Sequence, residues 1–171
     1  MGLRPAKCYR NMERPNTRQS LRKPKKGYVK GVPELKMHRF DGGSKTKTFA
    51  MHFSLVADWD VQIRDNALEA ARIAAQKVLI NETGEEGYFL KVPLYPFHVL
   101  RENPLATGAG ADRYQSGMRQ SFGKPIGSAA QVKKRQAILR VSVDAGREAI
   151  ARRALKTASY KLPVTCHIVQ S

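Results

Sequence analysis

Three groupings along the chain bring together residue types that could do chemistry. Gly117 to Lys124 (GMRQSFGK) sets glycines, an arginine and a lysine in one short run without an acid, the makings of a phosphate cradle. The nucleotide-binding form of that cradle is G-x-x-x-x-G-K-[ST], with a hydroxyl after the lysine to hold magnesium. Here five residues separate Gly117 from Gly123, and Pro125 follows Lys124, so that chemistry is excluded. Gly108-Ala109-Gly110 is not a dinucleotide fingerprint either, because Arg113 stands where the third glycine belongs. His98 and Glu102 have the spacing of half a metal site on a helix, yet no third ligand accompanies them and Pro96 and Pro104 flank the pair. We therefore read His98 as a structural or RNA-contacting histidine. His38 lies in the amino-terminal region, His52 and His167 fall inside strand patterns, and no Ser–His–Asp or Cys–His grouping emerges. Cys8 and Cys166 sit at opposite ends in no ligand spacing, so neither a disulfide nor zinc is expected. The expectation is a chain with no catalytic residue, no metal and no cofactor. The catalytic alternative is an RNA-modifying enzyme acting through the Glu102–Asp112 loop.

What these groupings share is a setting for a polyanion. The stretch from Pro96 to Gly127 begins extended and half-apolar (Tyr95 to Leu100), turns charged at Arg101-Glu102-Asn103, and then runs from Pro104 to Ala111 without a charge and almost without bulk. Charge returns at Asp112-Arg113, and Arg119 and Lys124 close the stretch among glycines. Arg101, Arg113, Arg119 and Lys124 would fasten the roots of the loop to folded RNA, and Thr107 to Ala111 could reach where bulkier side chains would clash. RNA is recognised largely by shape, phosphate and 2′-hydroxyl, which suits a small-residue finger between basic anchors. The whole chain of 171 residues carries 31 Lys and Arg against 14 Asp and Glu, a net charge of +17, with 42% hydrophobic residues, enough for one modest core. A core-bearing domain so basic repels itself unless a polyanion neutralises it. No apolar run is long enough to span a membrane, and no basic-then-apolar leader opens the chain. A DNA- or chromatin-binding protein would share this charge balance and is the other alternative.

Residues 1–47 hold 14 of the basic residues and three acids, which is +11 of the total +17. Prolines recur through them and neither helical nor alternating periodicity is visible, so they read as an extended arm. Arg4, Lys7, Arg10, Arg14, Arg18, Arg22, Lys23, Lys25, Lys26, Lys30 and Arg39 are its candidate phosphate contacts. Such contacts supply affinity and register rather than sequence reading.

The elements that must position the loop follow in residues 48–171. Phe49, Met51, Phe53 and Leu55 alternate and predict a strand over 48–57, after a turn at Asp41 to Ser44. A helix over about 61–80 is predicted, capped by Asp60, with Ile63, Ala67, Ala70, Ala71, Ala74 and Val78 inward. The acidic Thr83-Gly84-Glu85-Glu86-Gly87 ends it. Tyr88, Leu90, Val92 and Leu94 predict a strand into the loop, with Pro93 marking an edge or bulge. Asp112 to Phe122 can form a short helix capped by Asp112. Strands follow at 127–133 and 136–143 around a basic turn (Lys133-Lys134-Arg135), then a helix from Asp144 to about Lys161 and a last strand over 164–169. This order predicts an α+β fold, an antiparallel or mixed sheet with two helices on one face.

Four motifs, in this order and spacing, are similar to one family's signature: His98-Val99-Leu100-Arg101-Glu102-Asn103, Gly108-Ala109-Gly110-Ala111-Asp112-Arg113, Gly117-Met118-Arg119 and Phe122-Gly123-Lys124-Pro125. The family is the large-subunit ribosomal protein called L ten-e in archaea, part of the universal uL-sixteen group. Arg4 to Arg10, Ala67 to Ile73 and Lys161-Leu162-Pro163 resemble it too, so the likeness spans nearly the whole chain. The resemblance implies a two-layer α+β sandwich, with an extended rRNA-binding arm (1–47) and one domain (48–171) that projects the loop 102–111. It implies a structural constituent of the large ribosomal subunit, in the cytoplasm, binding large-subunit rRNA and neighbouring subunit proteins, without a membrane and without homo-oligomers. It further implies that the loop, with Glu102, Asn103, Thr107, Gly108, Ala109, Gly110 and Ala111, faces the tRNA acceptor arms near the peptidyl-transferase centre and shapes the aminoacyl- and peptidyl-tRNA cleft. The chain departs from the family's habit at Pro104, where lysine is usual, which removes one charge from the loop entrance.

Overall fold

The computed structural model describes residues 3–12, 31–115, 117–119 and 121–170. After a short 3-10 turn at Ala6–Cys8 come strands β1 (Asp41–Gly43), β2 (Met51–Ala57) and β3 (Val61–Arg64), then helix α1 (Asp65–Thr83). Strands β4 (Tyr88–Lys91) and β5 (His98–Glu102) lead to helix α2 (Ala111–Tyr114). Strands β6 (Lys124–Val132) and β7 (Ala137–Val143), helix α3 (Glu148–Ser159) and strand β8 (Cys166–Gln170) complete the order. Five strands form one sheet in the order β1-β4-β7-β2-β8, and three form a second in the order β3-β6-β5. All pairings among the described strands are antiparallel. The expected α+β fold is thus present, with the one sheet resolved into two.

The core forms where the alternating strands meet the helices. Phe53 and Leu55 of β2, Leu139, Val141 and Val143 of β7 and Leu90 of β4 are fully buried. Helices α1 and α3 pack against each other, and both lie on the five-stranded sheet, while α1 also touches β3 and β6 of the other. Their buried faces are largely alanine: Ala71 and Ala75 on α1, and Ala151, Ala154 and Ala158 on α3, around Leu68, Leu79 and Leu155. Small side chains let helix backbones come close to each other and to the sheet, and dense packing of this kind supplies most of a domain's stability.

Several boundaries differ from expectation for identifiable reasons. Residues 61–64, read as the first turn of a helix, are strand β3: Val61 and Ile63 are buried and pair with Val132 and Ala130 of β6. Helix α1 starts at Asp65, and Asp60 does not cap it; the Asp60 carboxylate accepts the Lys134 amide at 2.7 Å instead. Asp65, buried, accepts the Lys36 amide at 3.0 Å and so ties the amino-terminal region to the helix start. The buried face of α1 is rotated from the expected one, with Leu68, Ala71, Arg72, Ala75 and Leu79 inward and Ala70 exposed. Asp41 to Gly43, read as a turn, is an edge strand on β4, and Gly43 is needed there: at φ +81, any Cβ would sit 2.2 Å from the Tyr88 carbonyl oxygen. Strand β4 stops at Lys91, ahead of Pro93, which cannot donate to a ladder. Asp144 does not cap α3, which begins at Glu148 after Arg147; its carboxylate takes Lys47 at 2.7 Å. The last strand is shifted to Cys166–Gln170.

Leu139 lies on the central strand of the larger sheet and is fully buried in the main core cluster. Leu139→Ala should lower unfolding stability by about 2–5 kcal/mol, the range for emptying a packed leucine site, and denaturant titration of the isolated protein checks it.

Candidate nucleic-acid interface

The three-stranded sheet presents the loop. Strands β5 and β6 pair antiparallel and hold both of its roots, with Glu102 opposite Lys124 and Arg101 opposite Pro125. The register slips between Leu100 and Arg101, so Ile126 has no partner across the ladder. A bulge tolerates Pro125 and bends the hairpin's outer end. The Arg101 guanidinium lies over the Phe122 ring, 3.5 Å from its centroid, which clamps the two shoulders of the loop together. Gly123 makes that closure possible: at φ +82, a Cβ would lie 2.9 Å from the Glu102 carbonyl carbon and oxygen.

Beyond the clamp, Gln115 organises the loop entrance. Its side-chain nitrogen donates to the Pro104 carbonyl at 2.6 Å, and its side-chain oxygen accepts the Ala106 amide. One glutamine thus fixes the backbone on both sides of Leu105. Thr107, Gly108 and Ala109 remain exposed, and Gly110, at φ +79, leads into α2. The expected helix over 112–122 is only Ala111–Tyr114; Asp112 lies in its first turn rather than at its cap, and Gly117 follows with φ +60.

An amino-terminal strap crosses the same sheet. The Gln62 amide donates to the Arg10 carbonyl at 2.8 Å and the Gln62 side chain to the Tyr9 carbonyl at 3.0 Å. Arg64 donates to the Arg4 carbonyl at 2.9 Å while its guanidinium stands over the Tyr9 ring. The strap ends on the loop root, where Arg4 pairs with Glu102 at 3.5 Å.

Burial governs the ionisation of this region. It holds His98 below its ordinary pKa of 6.5, so the imidazole at the base of β5 is neutral, with a buried ring nitrogen, Nε2. The Asn103 side-chain nitrogen is buried at the neighbouring turn as well. Far from the loop, His167 hydrogen-bonds Asp58 at 2.5 Å and lowers the carboxyl's pKa, and burial pushes the Cys166 thiol up to about 11, so it is protonated and unreactive at neutral pH. Cys8 and Cys166 are both free thiols. Among the described residues, no three His, Cys, Asp or Glu side chains converge as metal ligands.

Comparison with known proteins gives this geometry its context. The family model for ribosomal protein L16p/L10e matches residues 16–169. The chain is 45% identical to the large ribosomal subunit protein uL16 of Methanococcus maripaludis over 169 residues, covering 99% of this chain and 94% of the relative. It is 43% identical to that of Archaeoglobus fulgidus, covering 99% and 93%, and 44% identical to that of Staphylothermus marinus, covering 99% and 94%. The chain belongs to the L16p/L10e family. This is a family of structural ribosomal proteins rather than enzymes. Among the described residues no helix is long and apolar enough to cross a membrane.

Within this L16p/L10e chain, the structure brings Arg4, Arg101, Glu102 and Lys124 together at the loop root. Arg113 and Arg119 are exposed along the returning limb, and Lys7 and Arg10 are exposed on the strap. Arg39 is elsewhere, in a polar cleft with Asp41, Glu85 and Glu86 beside the carboxy-terminal end of α1. Arg14, Arg18, Arg22, Lys23, Lys25, Lys26 and Lys30 lie outside the described residues. Sequence reasoning missed two kinds of residue. Arg64 was placed on a helix, which hid its role in seating the strap. Tyr114 (87% exposed), Met118 (64%) and Phe122 (53%) were overlooked as an exposed apolar series along the basic limb. Their spacing, i, i+4 and i+8, is that of one helix face and so reads in sequence as core-facing, but α2 ends at Tyr114 and all three side chains are exposed.

Gln115→Ala should leave the fold intact and speed hydrogen exchange at the Ala106 amide by at least about tenfold, the loss expected for one hydrogen bond of roughly 1.4 kcal/mol; exchange monitored by NMR checks it. For His98 the folded-state pKa is depressed, so the unfolded chain binds the proton more readily. Stability should therefore fall as pH drops from 7 through 6.5 and below, and His98→Gln should flatten that decline in denaturant titrations at successive pH values.

Proposed function

We propose that the chain is fastened to large-subunit rRNA by its basic arm and loop roots, and that its loop shapes the cleft for aminoacyl- and peptidyl-tRNA near the peptidyl-transferase centre. The observation that carries this reading is the β5–β6 hairpin. It holds an uncharged run of small residues, Thr107 to Ala109, exposed beyond roots that gather Arg4, Arg101 and Lys124. Residues 1–47 act as the rRNA-binding arm and residues 48–171 as the body that carries the loop 102–111. Arm lysines and arginines meet phosphates and set affinity; Arg113 and Arg119 continue that contact along the returning limb. Glu102, Asn103, Thr107, Gly108, Ala109, Gly110 and Ala111 face the tRNA acceptor arms. Glu102 does so while held by Arg4, which keeps a carboxylate from repelling RNA at the loop entrance. The chain works as a single copy in the cytoplasmic ribosome, beside other large-subunit proteins. It positions RNA and leaves the peptidyl transfer to RNA.

Gradient sedimentation of a gentle cell lysate tests the first half of this reading. Stoichiometric migration with the large subunit, surviving a high-salt wash, is expected; migration with DNA or as a free small protein would overturn it. Deleting Thr107 to Gly110 tests the second half. Subunits should still incorporate the protein, because the loop tip contributes neither charge nor core, while tRNA binding and translation rates fall. Failure to incorporate would show that the loop is structural.

A further inference from the structure

Among the described residues, the five-stranded sheet has helices on one face only, and its other face carries an ordered pattern of side chains. Register across β4, β7 and β2 aligns Phe89 with Ser142 and Ser142 with His52 in one row. Two residues along, it aligns Lys91 with Arg140 and Arg140 with Ser54 in the next. Phe53, Leu55, Leu90 and Val141, the alternate residues, point to the helices, so both rows share the open face. They line a concavity of about 380 Å³, in the size range of ligand clefts. The imidazole is fixed within it, since His52 Nδ1 and the Ser142 hydroxyl lie 2.8 Å apart.

The basic row is the anomaly. Lys91 and Arg140 are exposed and directly opposite each other on neighbouring antiparallel strands, an arrangement of like charges that costs stability. Neither forms an ion pair among the described residues. Asp41, in register with Lys91 on β1, has its carboxylate on Lys45 at 2.9 Å. A fold that keeps two uncompensated cations side by side, one strand repeat from a half-buried ring, has the donors for a phosphate and the surface for a base. Two residues along a strand span roughly 6.6 Å, so ring and cations fall within one nucleotide's reach of each other.

We propose that this open sheet face is a second RNA-binding surface, separate from the loop, which holds a single-stranded rRNA segment with a phosphate on Lys91 and Arg140 and a base over Phe89. A sheet backed by helices that stacks unpaired bases on open-face rings is a recurrent solution to single-stranded RNA recognition. An acidic protein tail would use the cations but would leave the ring and the fixed imidazole without a role. The inference rests on the ribosomal reading above.

Large subunits isolated with the full-length protein in place are irradiated with short-wave ultraviolet light and digested, and peptides bearing nucleotide adducts are identified by mass spectrometry. Adducts are expected on the peptide containing Phe89 or the one containing His52, and Phe89→Leu subunits should lose the former. In parallel, the free full-length protein is titrated with total large-subunit rRNA at several salt concentrations. Lys91→Gln with Arg140→Gln, both at exposed positions, should flatten the log-affinity against log-salt slope by about 1.5, the loss of two phosphate contacts. An unlabelled sheet face together with an unchanged slope would overturn the proposal, as would linkage of these peptides to another subunit protein. Absence of the protein from the subunits would sink the ribosomal reading and this inference together, whereas presence with an unlabelled face and an unchanged slope sinks this inference alone.

Discussion

The pairing of β5 with β6 is the constraint on which the functional end of the molecule depends. Two strands that are far apart in sequence must meet with Glu102 opposite Lys124 for the intervening segment to leave the body as a closed loop. The bulge at Ile126 and the glycine at 123 make room at that junction, and the Arg101–Phe122 contact locks it. The pairing is supported in turn by β3, which covers β6 on its other edge and runs directly into α1. Through α1, which touches both sheets, the loop's root is anchored to the main core. A loop with almost no side-chain surface of its own can therefore be held in place by packing well behind it.

Charge is the second organising quantity. At +17 the chain carries more repulsion than the ion pairs among its described residues offset, and surface ion pairs contribute little each. The fold responds by using acids where they hold segments together. Asp65 receives the Lys36 amide, Asp60 the Lys134 amide, Asp144 the Lys47 ammonium, and Glu102 the Arg4 guanidinium. Three of these four contacts tie the amino-terminal 47 residues to the body, so that region is docked at several points by carboxylates while many of its own cations remain exposed. Among the described residues, no acid forms an ion pair with Lys91 or Arg140 on the open sheet face.

Much of the larger sheet was legible in residue order. The alternation of Phe53 and Leu55, of Tyr88 and Leu90, and of Leu139, Val141 and Val143 identifies strands because a period of two can bury one face of a pleated ribbon. Helix α3 was legible for the matching reason: Ala151, Ala154, Leu155 and Ala158 repeat at helical spacing and are all buried. The errors fall where a local pattern serves two periods. Val61 and Ile63 fit the start of a helix as well as a strand, and only β6, more than sixty residues later, decides in favour of the strand. Asp60, Asp112 and Asp144 each resemble a helix cap locally, and Asp60 and Asp144 are instead taken by distant partners, a backbone amide and a lysine.

The sequence alone therefore determined the α+β class, the basic character, the loop between arginine anchors and, through four spaced motifs, the family. These depend on composition, periodicity and order, which are local properties of a chain. Tertiary structure decided that the strands divide into two sheets, that residues 3–12 strap the loop's root, and that Phe89, His52, Lys91 and Arg140 share one open face. Those are matters of register between strands distant in sequence, and register is set by how whole faces pack, because a slip of one residue turns every side chain to the opposite side.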